Sequence, residues 1–207
     1  VKARAVVLPD ADWTPEAFVG LTDGVAAQAQ LPRRLAGRGC QVLVPMLISR
    51  GAELSGSAHV RFTNQTHREF IYRQAFEVGR HVIGYEVQKV LAAIDIFTAA
   101  NARDRNNLPL GVAGVGEGGL LALYSAALDE RIDRALVCGY FQPREAVWQE
   151  PIYRNVWGLL THFGDAELAG LIAPRSLTID ACAAPEVAGP PAARPGRGGG
   201  GAPGRIE

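Results

Sequence analysis

The sequence predicts an α/β protein of three layers, in which a doubly wound, mostly parallel sheet is covered by helices on both faces. Strand-like and helix-like segments alternate along the chain between residues 3 and 181, a pattern typical of parallel sheets joined by crossover helices. The strand-like segments are near-continuous apolar runs, which indicates strands that are buried on both faces. With 207 residues, 48% of them hydrophobic, the chain is long enough for one sizeable core.

Five apolar runs bounded by turn-forming residues are expected to form the strands. They span residues 3–8, 40–45, 108–113, 132–138 and 176–181. Because helix-like segments separate most of these runs, we expect parallel rather than hairpin pairing.

The longest helical pattern precedes the third strand. Ile83, Val87, Val90, Ile94 and Phe97 recur at intervals of four, three, four and three residues, which places them on one stripe of a helix. Shorter helices are expected at residues 28–38, 120–128 and 166–172, and irregular loops at 49–66 and 141–164.

A charged stretch leads into the long helix. It contains Arg68, Glu69, Arg73, Glu77, Arg80 and His81. Spacings of four residues, as between Glu69 and Arg73, favour a solvated helical face with ion pairs along it. In the alternative interpretation, Arg80 and His81 line the mouth of a pocket.

The composition changes at Ala183. Residues 183–207 consist largely of Gly, Pro, Ala and Arg, a composition that cannot bury enough apolar surface to become ordered. We therefore expect one folded domain over residues 1–182 and a flexible tail over 183–207.

Composition gives no reason to expect a cofactor, a metal, nucleic acid or a membrane. Twenty-one basic and twenty-one acidic residues give zero formal net charge, and no apolar run reaches the roughly 18 residues that a membrane span needs. The four histidines lack metal-ligand spacing, and the three cysteines form no CxxC pair. The oligomeric state stays open, and so does the compartment: a secreted or periplasmic location would follow if a signal peptide preceded Val1.

The sequence from Gly114 to Gly119 forms a glycine-rich turn between an expected strand and an expected helix. Gly114, Gly116 and Gly119 satisfy the GxGxxG spacing of dinucleotide-binding turns. However, Glu117 would place a carboxylate where a pyrophosphate needs N–H groups and positive potential. The acidic residue expected about 20 positions further on is also missing from residues 137–140.

The same turn fits the G-x-S-x-G nucleophile elbow, with Gly116 in the place of the serine. Glu117 follows one position after the apex. A carboxylate can serve as a nucleophile or a base, but an acid in the first turn of a helix is also favoured by the helix dipole, by about 0.3–1 kcal/mol.

Three longer segments, taken together, resemble the acetyl xylan esterase and dienelactone hydrolase branch of the α/β-hydrolases. They are IGYEVQKVLAAIDIF, LPLGVAGVGEGGLLALYSAALDERI and GDAELAGLIAPRSLTIDA, which match the helix before the elbow, the elbow with its helix, and the segment before the acid-bearing strand. The resemblance is firm from about residue 79 to 181 and looser before that. It implies an α/β-hydrolase-like fold that lacks its C-terminal end, and a carboxylic ester hydrolase acting on a small ester or an acetylated sugar.

The resemblance also implies which positions would carry the chemistry. The nucleophile position falls on Gly116 and is vacant. The acid would follow the last strand, where Glu186 in the loop matches better than Asp180 within the strand. The family's histidine would come after one further strand, where this chain has only its Gly- and Pro-rich tail. Glu117 would contribute a backbone N–H to the oxyanion hole.

Further residues are expected to contact the substrate. A second oxyanion N–H would come from the loop of Asp10, Ala11 and Asp12. Trp148 and His162 lie in segments that follow strands and could reach the pocket, although Trp148 could instead pack its loop onto the domain and His162 could lie at the surface.

Three hypotheses for function follow. The first is an ester hydrolase of this branch with impaired activity, because the serine and the histidine are absent from the matching positions. The second is a non-catalytic ligand-binding or scaffold domain on the same fold. The third is a dinucleotide-binding module.

Overall fold

The computed structural model describes residues 1–51, 66–183 and 187 of the chain. Its strands are β1 (Ala3–Leu8), β2 (Cys40–Leu43), β3 (Leu110–Val115), β4 (Arg134–Cys138) and β5 (Ser176–Asp180). Its α-helices are α1 (Pro15–Phe18), α2 (Leu31–Gly37), α3 (His67–Glu77), α4 (Val82–Arg103), α5 (Glu117–Leu128) and α6 (Asp165–Gly170). Short 3₁₀-helices occur at Ala27–Ala29, Val147–Gln149, Ile152–Arg154 and Leu159–Thr161.

The strands form one sheet in the order β2-β1-β3-β4-β5, and every neighbouring pair is parallel. The chain runs from β1 outward to β2, then returns through α3 and α4 to place β3 on the other side of β1. Such a reversal opens a crevice at the carboxyl ends of the two strands that flank it. Here the crevice lies beyond the paired residues Leu8 and Gly114, at the ends of β1 and β3. The predicted doubly wound parallel sheet is confirmed.

Alternate residues of the strands pack on opposite faces, which gives the predicted three layers. Val6 and Val112 lie in a large apolar cluster with residues of α4, α5 and α6. Val7 and Ala113 lie in a smaller cluster with Phe18 of α1, against which α2 also packs. The sheet therefore has helices on both faces, as the apolar strand runs indicate.

Local sequence explains where the helices near the site begin. Thr66 caps α3 by accepting a hydrogen bond from the N–H of Glu69 (3.2 Å). His81 caps α4, because its Nδ1 accepts from the N–H of Ile83 (3.1 Å). Helix α5 is buried continuously from Glu117 to Ala126, as expected of a helix that is apolar all round.

Some boundaries differ from the prediction. Strand β3 starts at Leu110 rather than Leu108, since Pro109 has no N–H to contribute to a ladder. It also runs on to Val115, which pairs with Cys138. The first four residues of the charged stretch, from Arg68 to Glu77, lie in a separate helix, α3, in which Arg73 pairs with Glu69 (2.9 Å) as expected. The expected solvated face is found only in part, because the Arg68 side chain is completely buried.

Two sequence predictions fall mostly outside the described residues. Of the predicted tail, the structure describes only Ala183 and Val187, so its flexibility stays a prediction. Of the predicted loop at 49–66, it describes residues 49–51 and 66. Within the part of the chain that is described, no helix combines the length and apolar character that crossing a membrane requires.

Two glycines allow α5 to begin very close to the sheet. A Cβ added to Gly118 would overlap the backbone carbonyls of Leu8 and Pro9, and one added to Gly114 would overlap the backbone of Gly118. The first turn of α5 therefore lies directly against the end of β1, and only residues without a side chain permit this approach.

We expect Gly118→Ala to lower the free energy of unfolding by about 2–3 kcal/mol, because the added methyl group meets immobile backbone. Gly84→Ala is the matched control. Gly84 lies in α4 with open space around its Cβ position, so this change should raise stability by about 0.5–1 kcal/mol. Urea denaturation of both variants measures the difference, and equal stability of the two would contradict the packing described here.

Candidate functional site

The turn between β3 and α5 is sharp. Gly116, at its apex, has φ 57° and ψ −117°, a conformation with positive φ that favours glycine. Its N–H donates to the carbonyl of Cys138 (2.9 Å), and its carbonyl accepts from the N–H groups of Gly119 and Leu120. A sharp strand-to-helix turn at the edge of the crevice is the backbone geometry on which a nucleophile elbow is built.

Asp10, which follows β1, reaches across the crevice to this turn. Its Oδ1 accepts a hydrogen bond from the backbone N–H of Glu117 (2.9 Å). Two nitrogens of the Arg50 guanidinium donate hydrogen bonds to the same carboxylate, at 2.6 Å to Oδ2 and 2.9 Å to Oδ1. Burial alone would raise the pKa of Asp10, but the hydrogen bonds and charge of Arg50, with the Glu117 N–H, outweigh it and hold the pKa below 3.8.

Three arginines surround the carboxylate of Glu117. The side chain has no solvent exposure. Arg154 binds it at 2.9 Å, Arg50 at 3.2 Å and Arg68 at 3.4 Å. Burial alone would raise the pKa of Glu117, but the charges of Arg68, Arg154 and Arg50 lower it below its ordinary value of 4.5.

A third carboxylate completes this group of charges. Glu86 and Arg68, both fully buried, form a paired hydrogen bond at 2.8 and 2.6 Å. The Arg68 guanidinium also lies 4.9 Å from the ring centroid of Tyr153. We call the six residues Asp10, Arg50, Arg68, Glu86, Glu117 and Arg154 the Glu117 cluster. Its three positive side chains are paired with its three negative ones, and Arg50 and Arg154 also contact Asp12 and Glu150 at the margin of the cluster.

A cleft of about 330 Å³ opens next to the cluster, at the carboxyl ends of β4 and β5. Arg154 lies on its wall and therefore contacts both the cleft and Glu117. The other lining side chains include Tyr140, Phe141, Gln142 and Asp180. Aromatic walls with a few polar groups are typical of small-molecule sites.

The remaining residues expected at the site are dispersed. The Asp12 side chain, 55% exposed, pairs with Arg50 at 2.7 Å, and Ala11 is buried beside Asp10. Trp148 is 46% exposed, and His162 lies exposed at the end of the 3₁₀-helix Leu159–Thr161. Glu186 lies outside the described residues.

Arg50 and Arg154 are not among the residues that the sequence pattern indicates for the site, and the pattern did not predict the ion pair of Arg68 with Glu86. A signal for that pair was present. Arg68 shares its stripe on α3 with Tyr72 and Ala75, four and seven positions further on, and all three are buried. A charged residue on an apolar stripe indicates a buried ion pair. Arg50 lies in a loop and Arg154 at the end of a three-residue 3₁₀-helix, segments too short or irregular for a periodic pattern to identify them.

Taken together, the sheet order and the turn define an α/β fold with a site at its topological switch point. No protein-family model matches the chain, and no curated protein sequence matches it. Among solved structures, the chain is similar to a candidate acetyl xylan esterase from Bacteroides fragilis, with a TM-score of 0.62 and 16% identity over 86% of this chain and 51% of that one. At this identity the likeness shows the fold alone.

Two other structures match less closely. A glucuronoyl esterase from Caldicellulosiruptor kristjansonii has a TM-score of 0.45 and 16% identity, over 84% of this chain and 51% of that one. A cold-adapted esterase from an Arctic intertidal metagenomic library has a TM-score of 0.42 and 17% identity, over 86% and 72%. The chain spans about half the length of the Bacteroides and Caldicellulosiruptor proteins.

We expect Glu117→Gln to lower the free energy of unfolding by about 3–5 kcal/mol, because it removes one carboxylate from among three arginines in a buried site. Asp95→Asn is the matched control: Asp95 pairs with Arg131 at 2.7 Å, but its side chain is 63% exposed, so the loss should stay below about 1 kcal/mol. Chemical denaturation at neutral pH measures both. Similar losses of unfolding free energy in the two variants would show that the buried ion pairs of the Glu117 cluster contribute no more to stability than an exposed pair.

The lowered pKa values of Glu117 and Asp10 predict acid sensitivity. A carboxylate whose pKa is lower in the folded than in the unfolded chain stabilises the fold above its unfolded pKa, near 4.5 for Glu117 and 3.8 for Asp10. This stabilisation is lost as the pH falls through the folded value. The free energy of unfolding should therefore drop steeply below pH 4.5 in the wild type and less steeply in Glu117→Gln. Parallel pH profiles of the two proteins would contradict the assignment.

Proposed function

We propose that this chain is an α/β-hydrolase-like domain that binds a small ester or an acetylated sugar at the carboxyl edge of its sheet, without serine-type acyl transfer. One observation carries the proposal: at the apex of the turn, Gly116 offers no side chain, and the adjacent N–H of Glu117 already donates to the carboxylate of Asp10. Each part of the proposal rests on a separate feature of the site.

The first feature is the missing nucleophile. In an elbow, the residue at the apex presents its hydroxyl to the substrate. Gly116 stands at that apex, so attack on an ester would need another group. Removing the nucleophile of such a site costs several orders of magnitude in rate even when its other groups remain.

The second feature concerns the oxyanion donors. Acyl transfer needs backbone N–H groups that are free to stabilise the negative oxygen of the tetrahedral intermediate. Asp10 accepts from the Glu117 N–H at 2.9 Å and is itself held by Arg50. A substrate oxygen would have to displace the Asp10 carboxylate from this N–H, although Arg50 holds that carboxylate in place with two hydrogen bonds. This competition disfavours catalysis at the turn.

The third feature is the state of Glu117. A general base needs a pKa near the working pH, whereas the arginines lower the pKa of this carboxylate. Its oxygens are directed to Arg50, Arg68 and Arg154. Glu117 therefore serves as the anchor of the cluster, which disfavours a role as a substitute nucleophile.

Binding is assigned to the neighbouring cleft. Tyr140 and Phe141 supply apolar surface. Gln142 donates to Glu150 (2.8 Å), and Arg154 donates to Glu117 and Glu150. Each side chain keeps further N–H groups that can donate to ester or hydroxyl oxygens. A dinucleotide is a poorer ligand for the turn, because the Glu117 N–H that would donate to a phosphate already donates to Asp10.

We expect Gly116→Ser to raise the hydrolysis rate of an activated acetyl ester by less than 100-fold, an effect of about 2.7 kcal/mol. The new hydroxyl would stand at the apex, but the oxyanion N–H would still be occupied by Asp10. Initial rates with 4-nitrophenyl acetate measure the change, and Ser125→Ala, a buried hydroxyl elsewhere on α5, controls for unrelated serine chemistry. A gain above 100-fold would mean that a functional catalytic site needs only its serine.

The binding half of the proposal is tested with an O-acetylated methyl xyloside and its deacetylated counterpart. We expect the acetylated sugar to bind more tightly, to remain intact, and to lose affinity on Gln142→Ala. Turnover of the sugar by the wild-type chain would replace the proposal with the ester hydrolase hypothesis. Equal affinity for the two sugars would remove acetyl recognition from it.

A further inference from the structure

A second, larger cavity lies at the opposite end of the strands, where β3 and β4 begin. Its volume is about 700 Å³, within the range of small-molecule sites. It is formed by the end of α4, the loop that leads into β3, and the loop that leads into β4. Since β3 runs from Leu110 at this cavity to Val115 at the turn, the two sites lie about 16 Å apart along the strand.

The wall of this cavity is fixed by a buried arginine. Arg4, 2% exposed, donates hydrogen bonds to the Oδ1 atoms of Asn101 and Asn106, the latter at 3.2 Å, and to Asp104 at 2.6 Å. Asn101 in turn donates to the carbonyl of Leu108 (2.9 Å). Asn101, Asn106 and Leu108 all line the cavity, so their positions are set before any ligand arrives.

The lining also holds polar groups whose hydrogen-bonding capacity is not used by the described residues. Arg4 donates only to the oxygen of the Asn106 amide, so the NH₂ group of Asn106 is available to donate to a ligand. The N–H of Leu110 occupies one oxygen of Asp133 (2.8 Å), which leaves the other. The amide of Asn107 has no partner among the described residues and adds both a donor and an acceptor at the same wall.

The lining contains two arginines and the carboxylate of Asp133, and one of the two arginines has no carboxylate partner within the described part of the chain. Arg131 lines the cavity but is engaged by Asp129 (2.7 Å) and Asp95 (2.7 Å). Arg134, at the start of β4, is exposed and has no carboxylate partner among the described residues. Its guanidinium can therefore receive one carboxylate in the two-pronged manner that arginine favours.

We infer that this cavity binds a polyhydroxylated molecule carrying one carboxylate. Arg134 would bind the carboxylate, while Asn106, Asn107 and Asp133 would bind hydroxyl groups, since amides and carboxylates together accept from and donate to adjacent hydroxyls. The site is separate from the cleft beside Arg154, and the inference does not depend on the function proposed there.

Three probes of similar size separate the two parts of this recognition. D-gluconate carries both hydroxyls and a carboxylate, D-glucitol carries only hydroxyls, and hexanoate carries only the carboxylate. Titrations followed by ¹H–¹⁵N correlation spectra should give D-gluconate a dissociation constant of about 1–10 mM, as expected for so small a ligand. The amide signals of Asn106, Asn107 and Arg134 should move most. D-glucitol and hexanoate should bind at least about 10-fold more weakly.

Two variants test the assigned residues. Arg134→Gln should weaken D-gluconate binding by about 10-fold or more and leave D-glucitol binding unchanged, because it removes only the cation. Arg80→Gln, which changes an exposed arginine outside this cavity, should leave the binding of both unchanged. The inference is overturned if D-gluconate does not bind, if it binds no better than D-glucitol or hexanoate, or if Arg134→Gln binds it as the wild type does.

Discussion

The carboxylate of Glu117 lies wholly out of water, and the rest of the site depends on how its charge is neutralised. Taking an ionised carboxylate into a protein interior costs several kcal/mol unless opposite charges and hydrogen bonds replace water. Arg50, Arg68 and Arg154 supply them. They come from the segment after β2, from α3 and from the 3₁₀-helix Ile152–Arg154, so neutralising one side chain holds three distant segments against the start of α5.

The same arrangement limits the chemistry that is possible at the turn between β3 and α5. Arg50 forms ion pairs with both Glu117 and Asp10, and Asp10 accepts a hydrogen bond from the backbone N–H of Glu117. The backbone N–H that could stabilise an oxyanion is therefore occupied by the protein's own Asp10 carboxylate. The glycine at the apex of the turn has no side chain that could act as a nucleophile. The backbone conformation of this turn depends on Gly116 and on its hydrogen bonds, so the turn forms without a serine at its apex.

Sequence patterns predicted the fold well, because the relevant signals are local. The apolar run at residues 3–8 coincides with β1, and the stripe from Ile83 to Phe97 lies within α4. The predicted position of Glu117 in the first turn of a helix is also found. Its surroundings could not be predicted, because Arg50 and Arg154 lie 67 and 37 positions away from it, in a loop and in a short 3₁₀-helix. Only the fold, not any periodicity, brings these residues together.

The most direct test of this account is a pH titration of the Glu117 backbone amide by NMR. If Asp10 accepts a hydrogen bond from this N–H, the amide shift should follow the protonation of Asp10, with a midpoint below 3.8. The same amide should exchange slowly with solvent at neutral pH, since it is buried and bonded. An amide that exchanges rapidly and whose shift is independent of the Asp10 titration would mean that the oxyanion position is open, and the site would then have to be reconsidered as catalytic.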